Sequence, residues 1–310
     1  MKSALIFGAA GFVGRYLAEE LNKHGYVVHG SDVLKPSHLV GGSLFESFHS
    51  CDLLDAESVK QLVKSLELTH IINLAAVSSV GLSWKIPQKT IDVNVTGGLN
   101  ILEAAREICP EVRLLFIGSS EEYVITDQPI SEETPLDANN PYGISKLAIE
   151  RFSEIYRKRY GMKVYYVRAF NHTGVGQRDT FVIPSWCKQT AAIVKSGLPG
   201  VLKVGNVDVV RDISDVRDVV RAYRMVIESD DCNIVYNIGS GKGTALSDVL
   251  VCLRELSNHP ITVEQDPVLF RPVDNPIILC NHNLITKRLS WNPEHMLFDT
   301  VQEMFYYYLK

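Results

Sequence analysis

The sequence contains no apolar run that approaches the roughly 20 residues needed to cross a bilayer. It also lacks internal repeats and low-complexity tracts. These absences argue against a membrane-spanning chain, a repeat array and a largely disordered protein. We therefore expect no membrane partner.

A surplus of positive charge is missing as well. The chain has 31 Lys and Arg residues against 36 Asp and Glu residues, for a formal net charge of -5. Because nucleic-acid-binding proteins present a basic patch or stripe, this balance argues against DNA or RNA as the partner.

The cysteines form neither CxxC pairs nor metal-type spacings. They are scattered along the chain, at Cys51, Cys109, Cys187, Cys232, Cys252 and Cys280. The chain opens with a strand-like segment from Ala4 to Phe7 in place of a signal peptide. We therefore expect a reduced, cytoplasmic protein without a metal site.

What the chain does contain is a regular alternation of short apolar runs and amphipathic segments. Its 310 residues, 46% of them hydrophobic, can form one large or two unequal domains. The short apolar runs are strand candidates, at Ala4 to Phe7, Tyr26 to His29, Phe48 to Cys51, His70 to Leu74, Arg113 to Ile117 and Val164 to Arg168. This pattern predicts an α/β fold, a doubly wound parallel sheet with helices on both faces, in which ligands bind at the carboxyl ends of the strands.

A glycine-rich turn follows the first strand candidate and leads into an amphipathic helix predicted over 12–24. Glycines in such a turn permit a tight bend and a close approach of phosphate, and the helix N-terminus attracts a pyrophosphate. The residues expected around that pyrophosphate are Gly8, Gly11, Phe12, Val13 and Gly14. The turn therefore predicts a dinucleotide-binding site.

Asp32 closes the second strand candidate, at the distance from the turn where a carboxylate binds an adenosine ribose. Its charge would repel a 2′-phosphate, which favours NAD as the cofactor over NADP. Arg15 and Lys35 are nearby cations that would soften this preference for NAD, and Asp32 also suits a plain turn.

Tyr142 and Lys146 are four residues apart at the start of a predicted helix, so both project from one face of it. Because a fixed ammonium favours the phenolate, we expect the pKa of Tyr142 to lie below its ordinary value of about 10. Ser119, at the end of a buried strand candidate, supplies a hydroxyl partner. The spacing alone also arises by chance on helix surfaces, but the glycine turn argues against chance here.

Together these residues resemble the extended short-chain dehydrogenases/reductases that act on nucleotide sugars, over essentially the whole chain. The resemblance implies a Rossmann-type sheet with a smaller α/β C-terminal domain. It implies that 1–170 bind NAD, that 207–240 return to that domain, and that 171–310 mainly bind the nucleotide sugar. Further cofactor-binding residues implied by it are Asp52, Leu53, Leu74, Ala75, Ala76, Asn94, Tyr142 and Lys146.

The C-terminal half resembles the GDP-mannose branch of that family, which contains 4,6-dehydratases and reductases of 4-keto-6-deoxy-mannose. The substrate-binding residues implied are Ser120, Asn171, Val182, Asn206, Arg211 and Arg271. Amide and guanidinium groups suit the sugar-linked phosphates, although either arginine also suits a surface ion pair. Val124, Val175 and Asp274 depart from the family pattern, and Asp274 leaves guanine recognition open.

Glu121 stands where the dehydratases carry the base that removes the C5 proton, but similar reductases keep this glutamate too. The chain is short for a dehydratase, and Thr173 replaces a glutamate that dehydratases tend to carry. The resemblance therefore implies reduction of the C4 ketone of a GDP-4-keto-6-deoxy-hexose, with catalytic residues Ser119, Glu121, Tyr142 and Lys146. A 4,6-dehydratase, a C4 epimerase and a non-catalytic dinucleotide sensor are the alternatives.

Two predicted helices, from Gly97 to Glu107 and from Tyr142 to Arg157, carry apolar residues on more than one face. The equivalent helices form a four-helix dimer interface in the family that the chain resembles, which implies a homodimer. The alternative is that the second face packs on the protein's own C-terminal domain.

Overall fold

The computed structural model describes residues 2–33, 44–124, 126–270 and 275–310. Its strands are β1 (Lys2–Phe7), β2 (Tyr26–Asp32), β3 (Ser47–Ser50), β4 (His70–Asn73), β5 (Arg113–Ser119), β6 (Lys163–Ala169), β7 (Asn171–Thr173), β8 (Gly200–Val204), β9 (Val210–Asp215), β10 (Val235–Ile238), β11 (Gly243–Ala245), β12 (Ile261–Gln265) and β13 (Ile277–Ile278). Its α-helices are α1 (Phe12–Lys23), α2 (Ala56–Lys64), α3 (Val80–Lys85), α4 (Pro87–Ile91), α5 (Gly97–Ile108), α6 (Pro141–Tyr160), α7 (Val182–Ser196), α8 (Val216–Glu228), α9 (Leu246–Ser257), α10 (Asn283–Leu289) and α11 (Leu297–Leu309).

Within the described residues, seven parallel strands form the main sheet, in the order β10-β6-β5-β4-β1-β2-β3. The chain starts at β1, winds to one edge through β2 and β3, and then crosses back to β4 and the other edge. This reversal places a crevice at the carboxyl ends of β1 and β4, where ligands bind in such sheets. The predicted strands and the Rossmann-type α/β fold are confirmed.

The central strands β1, β4, β5 and β6 bury both of their faces, because helices cover the sheet on both sides. In β1, Ala4 and Ile6 join the apolar cluster beneath α1 and α8, whereas Leu5 and Phe7 join the cluster beneath α2 and α5. Successive side chains of a strand point to opposite faces, so a continuous apolar run is what a doubly covered strand requires.

The smaller part of the fold follows β6 at the carboxyl edge of the main sheet. There β9 pairs with β7, β11 and β13, and β8 pairs with β12. Helices α7, α9 and α11 surround a third apolar cluster that includes Trp186, Leu253 and Phe305. Between these elements, α8 and β10 return to the main sheet. None of the helices in the described part of the chain combines the length and apolar character needed to cross a membrane.

Candidate active site

The turn after β1 has the shape that its glycines predict. The backbone N–H groups of Gly8 and Ala9 both donate to the carbonyl of Ser31, at 2.8 and 3.0 Å. Gly8 has a φ of +77°, and a Cβ at this position would lie 2.6 Å from the Ala75 nitrogen. A Cβ at Gly14 would lie 2.3 Å from the Ala9 carbonyl oxygen. Side chains are therefore excluded at both positions, and the backbones of the two strand ends come close together.

Helix α1 begins at this turn with open N–H groups. No side chain among the described residues caps its N-terminus, so the N–H groups of Phe12 and Val13 can receive an anion. The narrow glycine turn and the helix N-terminus fit the pyrophosphate of a dinucleotide.

Asp32 lies beside this turn, at the end of β2. Its carboxylate accepts hydrogen bonds from the backbone N–H groups of Ala10, at 3.2 Å, and Val33, at 2.8 Å. The side chain therefore holds the turn as well as presenting negative charge at the crevice. Lys35, named above as a nearby cation, lies outside the described residues.

The loop after β4 forms the opposite wall of the crevice and contains Leu74, Ala75 and Ala76. Asn94 holds this loop, because its side chain accepts from the Val77 N–H at 2.8 Å and donates to the Val77 carbonyl at 3.2 Å. Its amide also donates to the Ser145 hydroxyl on α6, at 2.8 Å. Asn94 therefore joins the loop to α6, and it lies in a π-helical turn at Asp92–Thr96 that connects α4 and α5.

Asp52 and Leu53 follow β3 and have different environments. The Asp52 carboxylate is exposed and accepts from the Leu54 N–H at 3.0 Å. Leu53 is buried, and a Cβ at Gly97 would lie 2.9 Å from it. Leu53 thus packs on the start of α5, and a contact of either residue with adenine stays a prediction.

Ser119 and Tyr142 meet at the carboxyl end of β5. Ser119 is the last residue of that strand, and its side chain hydrogen-bonds to Tyr142 from the first turn of α6. Asn140 caps this helix by accepting from the Gly143 N–H at 2.9 Å, and Pro141 occupies the first helical position. The cap fixes where α6 begins and hence where Tyr142 stands.

The expected lowering of the Tyr142 pKa is wrong. Burial raises the pKa of Tyr142 above its ordinary value, against the smaller effect of the hydrogen bond from Ser119. Lys146 Nζ lies 5.7 Å from the centre of the Tyr142 ring and donates to the carbonyl of Ile117, at 2.7 Å. The Tyr142 hydroxyl therefore keeps its proton at neutral pH.

Lys146 is itself affected by burial, since only 7% of it is exposed. Desolvation lowers the pKa of Lys146 from 10.5 to about 8. The lysine is still mainly an ammonium at neutral pH.

Glu121 lies two residues beyond Ser119. The side-chain amide of Asn140 donates to Oε2 of Glu121 at 2.9 Å, and the Glu121 N–H donates to the Ser119 hydroxyl at 3.2 Å. A Cβ at Gly143 would lie 2.3 Å from the Glu121 carbonyl oxygen, so glycine is required in this turn of α6. These contacts hold Glu121 next to Ser119 and the start of α6.

The candidate substrate residues are more widely spread. Ser120 is buried beside Ser119, Asn171 is exposed in β7, and Val182 opens α7. Asn206 accepts from the Asp208 N–H at 3.1 Å, and Arg211 donates to the carbonyl of Val210 at 2.9 Å. Arg271 and Asp274 lie outside the described residues. Substrate contacts of all these residues stay predictions.

One contact that the sequence did not reveal joins the cofactor turn to the segment after β6. The ring of Phe12 stacks on that of His172, with centroids 6.4 Å apart and planes 13° apart. The Tyr16 hydroxyl donates to the carbonyl of Val175 at 2.8 Å. These contacts place the Asn171 strand against α1, and no local pattern marks them because the partners are far apart in the chain.

Three comparisons place this geometry among known proteins. The family model described as GDP-mannose 4,6 dehydratase matches residues 5–304. The GDP-6-deoxy-D-mannose reductase of Pseudomonas aeruginosa is 30% identical over 292 residues, covering 93% of this chain and 91% of the relative. The GDP-mannose 4,6-dehydratase of Yersinia enterocolitica is 31% identical over 350 residues, covering 98% and 92%. The solved structure of RMD from Pseudomonas aeruginosa complexed with NADPH superimposes with a TM-score of 0.86 at 27% identity, covering 100% of this chain and 98% of that one.

Proposed function

Because the chain belongs to the GDP-mannose 4,6 dehydratase family, and is thus an NAD(P)-dependent nucleotide-sugar oxidoreductase of the extended short-chain dehydrogenase/reductase type, we propose that it reduces a sugar ketone. The proposed reaction is reduction of the C4 ketone of GDP-4-keto-6-deoxy-D-mannose, giving GDP-D-rhamnose. NADH is the proposed reductant, on the strength of Asp32.

The protonated Tyr142, hydrogen-bonded to Ser119 at the carboxyl edge of the sheet, carries this proposal. Reduction of a ketone needs an acid for the oxygen that gains negative charge, and a tyrosine whose pKa is raised is present as that acid. The glycine turn lies at the same edge of the sheet, at the end of β1, which only β4 separates from β5 and Ser119.

Each residue then has a role in the step. A nicotinamide cofactor held by the glycine turn would supply the hydride to C4. Tyr142 donates its proton to the C4 oxygen, and Ser119 hydrogen-bonds to the same oxygen as its charge develops. Lys146 places positive charge beside the phenolate that Tyr142 becomes. Holding the ketone against these groups removes much of the entropic cost of a bimolecular encounter.

The lengths of the two sequence matches favour reduction over dehydration. The match to the Yersinia dehydratase extends over more positions than the 310 residues of this chain, so parts of that enzyme lie opposite gaps here. The match to the reductase covers 93% of this chain in 292 positions and therefore needs few gaps. Thr173 also favours reduction, because it stands where dehydratases tend to carry a glutamate; its hydroxyl donates to Gln177 at 2.7 Å.

Product analysis tests the reaction. The protein is incubated with GDP-mannose, with GDP-4-keto-6-deoxymannose plus NADH or NADPH, and with UDP-glucose. We expect turnover only of the ketone, with oxidation of the reduced cofactor. Conversion of GDP-mannose would indicate the 4,6-dehydratase, conversion of UDP-glucose the C4 epimerase, and no turnover of any substrate the non-catalytic sensor.

Glu121→Gln separates reductase from dehydratase. A dehydratase needs the carboxylate to remove the C5 proton and should lose about 10²- to 10⁴-fold in kcat, whereas a reductase should lose much less. Glu133→Gln, at an exposed position, is the matched control. Solvent deuterium at C5 of the wild-type product, together with a large loss in Glu121→Gln, would refute the reductase assignment.

The division of the chain and its assembly are part of the same proposal. Residues 1–170 with 207–240 would bind the cofactor, and 171–310 would mainly bind the nucleotide sugar. A homodimer through α5 and α6 is supported by Ile144 and Ile155 on α6, which are 49% and 51% exposed. Light scattering should return a dimer for the wild type and a monomer for Ile155→Asp; a monomeric wild type at micromolar concentration would refute it.

A further inference from the structure

A buried cluster of charged and polar side chains contacts the backbones of Ser119 and Lys146. Its members are Glu122, Glu150, Tyr166 and Arg168, each no more than 5% exposed. They come from the turn after β5, from α6 and from β6, which meet at the carboxyl edge of the sheet. No step of the proposed reaction uses them.

Glu122 contacts the backbone of the candidate active site. Its Oε1 accepts a hydrogen bond from the Ser119 N–H at 2.6 Å, and the Tyr166 hydroxyl lies 3.3 Å from the same oxygen. That hydroxyl donates to the backbone carbonyl of Lys146 at 2.7 Å. Gly118 leaves the room for this arrangement, since a Cβ there would lie 2.3 Å from Glu122 Oε1. The Glu122 carboxyl group thus binds the Ser119 backbone and contacts the Tyr166 hydroxyl, which binds the Lys146 backbone.

In the described part of the chain neither nearby cation hydrogen-bonds to Glu122, because Arg168 binds Glu150 and the Lys146 ammonium donates to the Ile117 carbonyl. Arg168 donates to both carboxylate oxygens of Glu150, with Nε to Oε2 at 2.8 Å, and a third bond goes to the Tyr123 hydroxyl. Glu122 Oε2 is buried 3.8 Å from Arg168 Nε, and no residue in the described part of the chain provides it with a hydrogen bond. A buried carboxylate oxygen that accepts no hydrogen bond is strongly unfavourable, even with a guanidinium 3.8 Å away.

A proton on Glu122 removes both difficulties. It makes the carboxyl group a hydrogen-bond donor to Glu150, which lies within reach, and it removes a buried negative charge to which neither nearby cation hydrogen-bonds. Burial and the neighbouring Glu150 correspondingly raise the pKa of Glu122 well above its ordinary value.

We propose that Glu122 is a neutral, protonated positioning residue, which holds Ser119 and the helix turn of Lys146 in place and keeps negative charge away from Tyr142. A charged Glu122 would raise the pKa of Tyr142 and so oppose the loss of its proton during turnover. The groups that face Glu122 are Ser119 on its own segment, Tyr142, Lys146 and Glu150 on α6, and Tyr166 and Arg168 on β6. The effect on turnover rests on the proposed reduction, whereas the protonation does not.

Infrared spectroscopy tests the proton directly. In wild-type protein at neutral pH, the C=O stretch of a protonated carboxyl group should be present and should disappear in Glu122→Gln. Glu133→Gln, which changes an exposed glutamate, should leave the band unchanged. An identical band in wild type and Glu122→Gln would overturn the proposal, whatever substrate the enzyme uses.

Kinetics test the positioning role with two variants of similar size. Gln can accept from the Ser119 N–H and donate to Glu150, so Glu122→Gln should keep kcat and KM close to wild type. Glu122→Met loses both hydrogen bonds, and its kcat should fall by about tenfold, with cofactor affinity and KM little changed. An equal loss of kcat in both variants would show that an ionised carboxylate is needed and would refute the proposal. Failure of the reductase assay alone, with the infrared result as expected, would count against the reaction and not against the protonation.

Discussion

Lys146 is expected to destabilise the fold that positions it. It is 7% exposed, and desolvation lowers its pKa from 10.5 to about 8, while Nζ keeps one hydrogen bond to the carbonyl of Ile117, at 2.7 Å. A lysine whose pKa falls on folding binds its proton less tightly in the folded state than in the unfolded state. Replacing it by a neutral side chain of similar length should therefore increase stability.

The magnitude follows from the shift. At pH 7 the buried ammonium destabilises the folded state by about 3 kcal/mol, because each unit of pKa corresponds to about 1.4 kcal/mol. Lys146→Met removes this term and loses a hydrogen bond whose net contribution is about 1 kcal/mol. We expect the free energy of unfolding of Lys146→Met to exceed that of the wild type by about 2 kcal/mol at pH 7, the difference between these terms.

The pH dependence distinguishes this cause from better packing. Unfolded Lys146 titrates near 10.5 and folded Lys146 near 8, so the destabilisation is complete below pH 8 and disappears as the pH rises towards 10.5. The advantage of Lys146→Met should therefore shrink over that window.

Urea unfolding of both proteins at neutral pH and in the middle of that window measures the effect. Lys158→Met is the matched control, because Lys158 is on the same helix with a side chain that is 73% exposed. Its midpoint should stay near that of the wild type, and only Lys146→Met should also lose turnover. A Lys146→Met variant that is less stable than the wild type at pH 7, or an advantage that is constant with pH, would refute this reasoning.

Three further predictions concern other residues. Tyr142→Phe should lower kcat by about 10²- to 10⁴-fold with cofactor binding nearly unchanged, whereas Tyr160→Phe, at an exposed position on the same helix, should be neutral; steady-state rates and a binding titration check this. Asp32→Ala should weaken NADH binding and reduce the preference for NADH over NADPH. Asp32→Asn keeps an acceptor for the Ala10 N–H and so shows the effect of the charge alone. A wild type that binds NADPH at least as tightly as NADH would contradict the role of Asp32. His70 is buried and its pKa is lowered to about 4, so its contribution to the free energy of unfolding is present above its ordinary pKa of 6.5 and is lost as the pH falls towards 4. Over that range the free energy of unfolding of the wild type should fall by up to about 3 kcal/mol more than that of His70→Gln. Equal acid sensitivity of the two proteins in urea titrations would refute this prediction.

Features that depend on short stretches of chain could be predicted from the amino-acid sequence. The apolar runs predict the parallel strands, because a strand covered on both faces must be apolar at successive positions. Gly8 and Gly14 mark the turn, because only glycine fits where a Cβ would meet another backbone. The spacing of Tyr142 and Lys146 follows from helix periodicity. Family membership could be predicted because these patterns occur in a fixed order.

Tertiary structure alone decided the electrostatics of the site. The sequence predicted a lowered pKa for Tyr142 from its distance to Lys146 along the helix, but the structure buries the tyrosine and directs Nζ to the Ile117 carbonyl, so the pKa is raised. Glu122, Glu150 and Arg168 lie on three separate elements, and no local pattern marks their contact. Local geometry depends on neighbouring residues, whereas a proton's free energy depends on burial and on charges brought together by the whole fold.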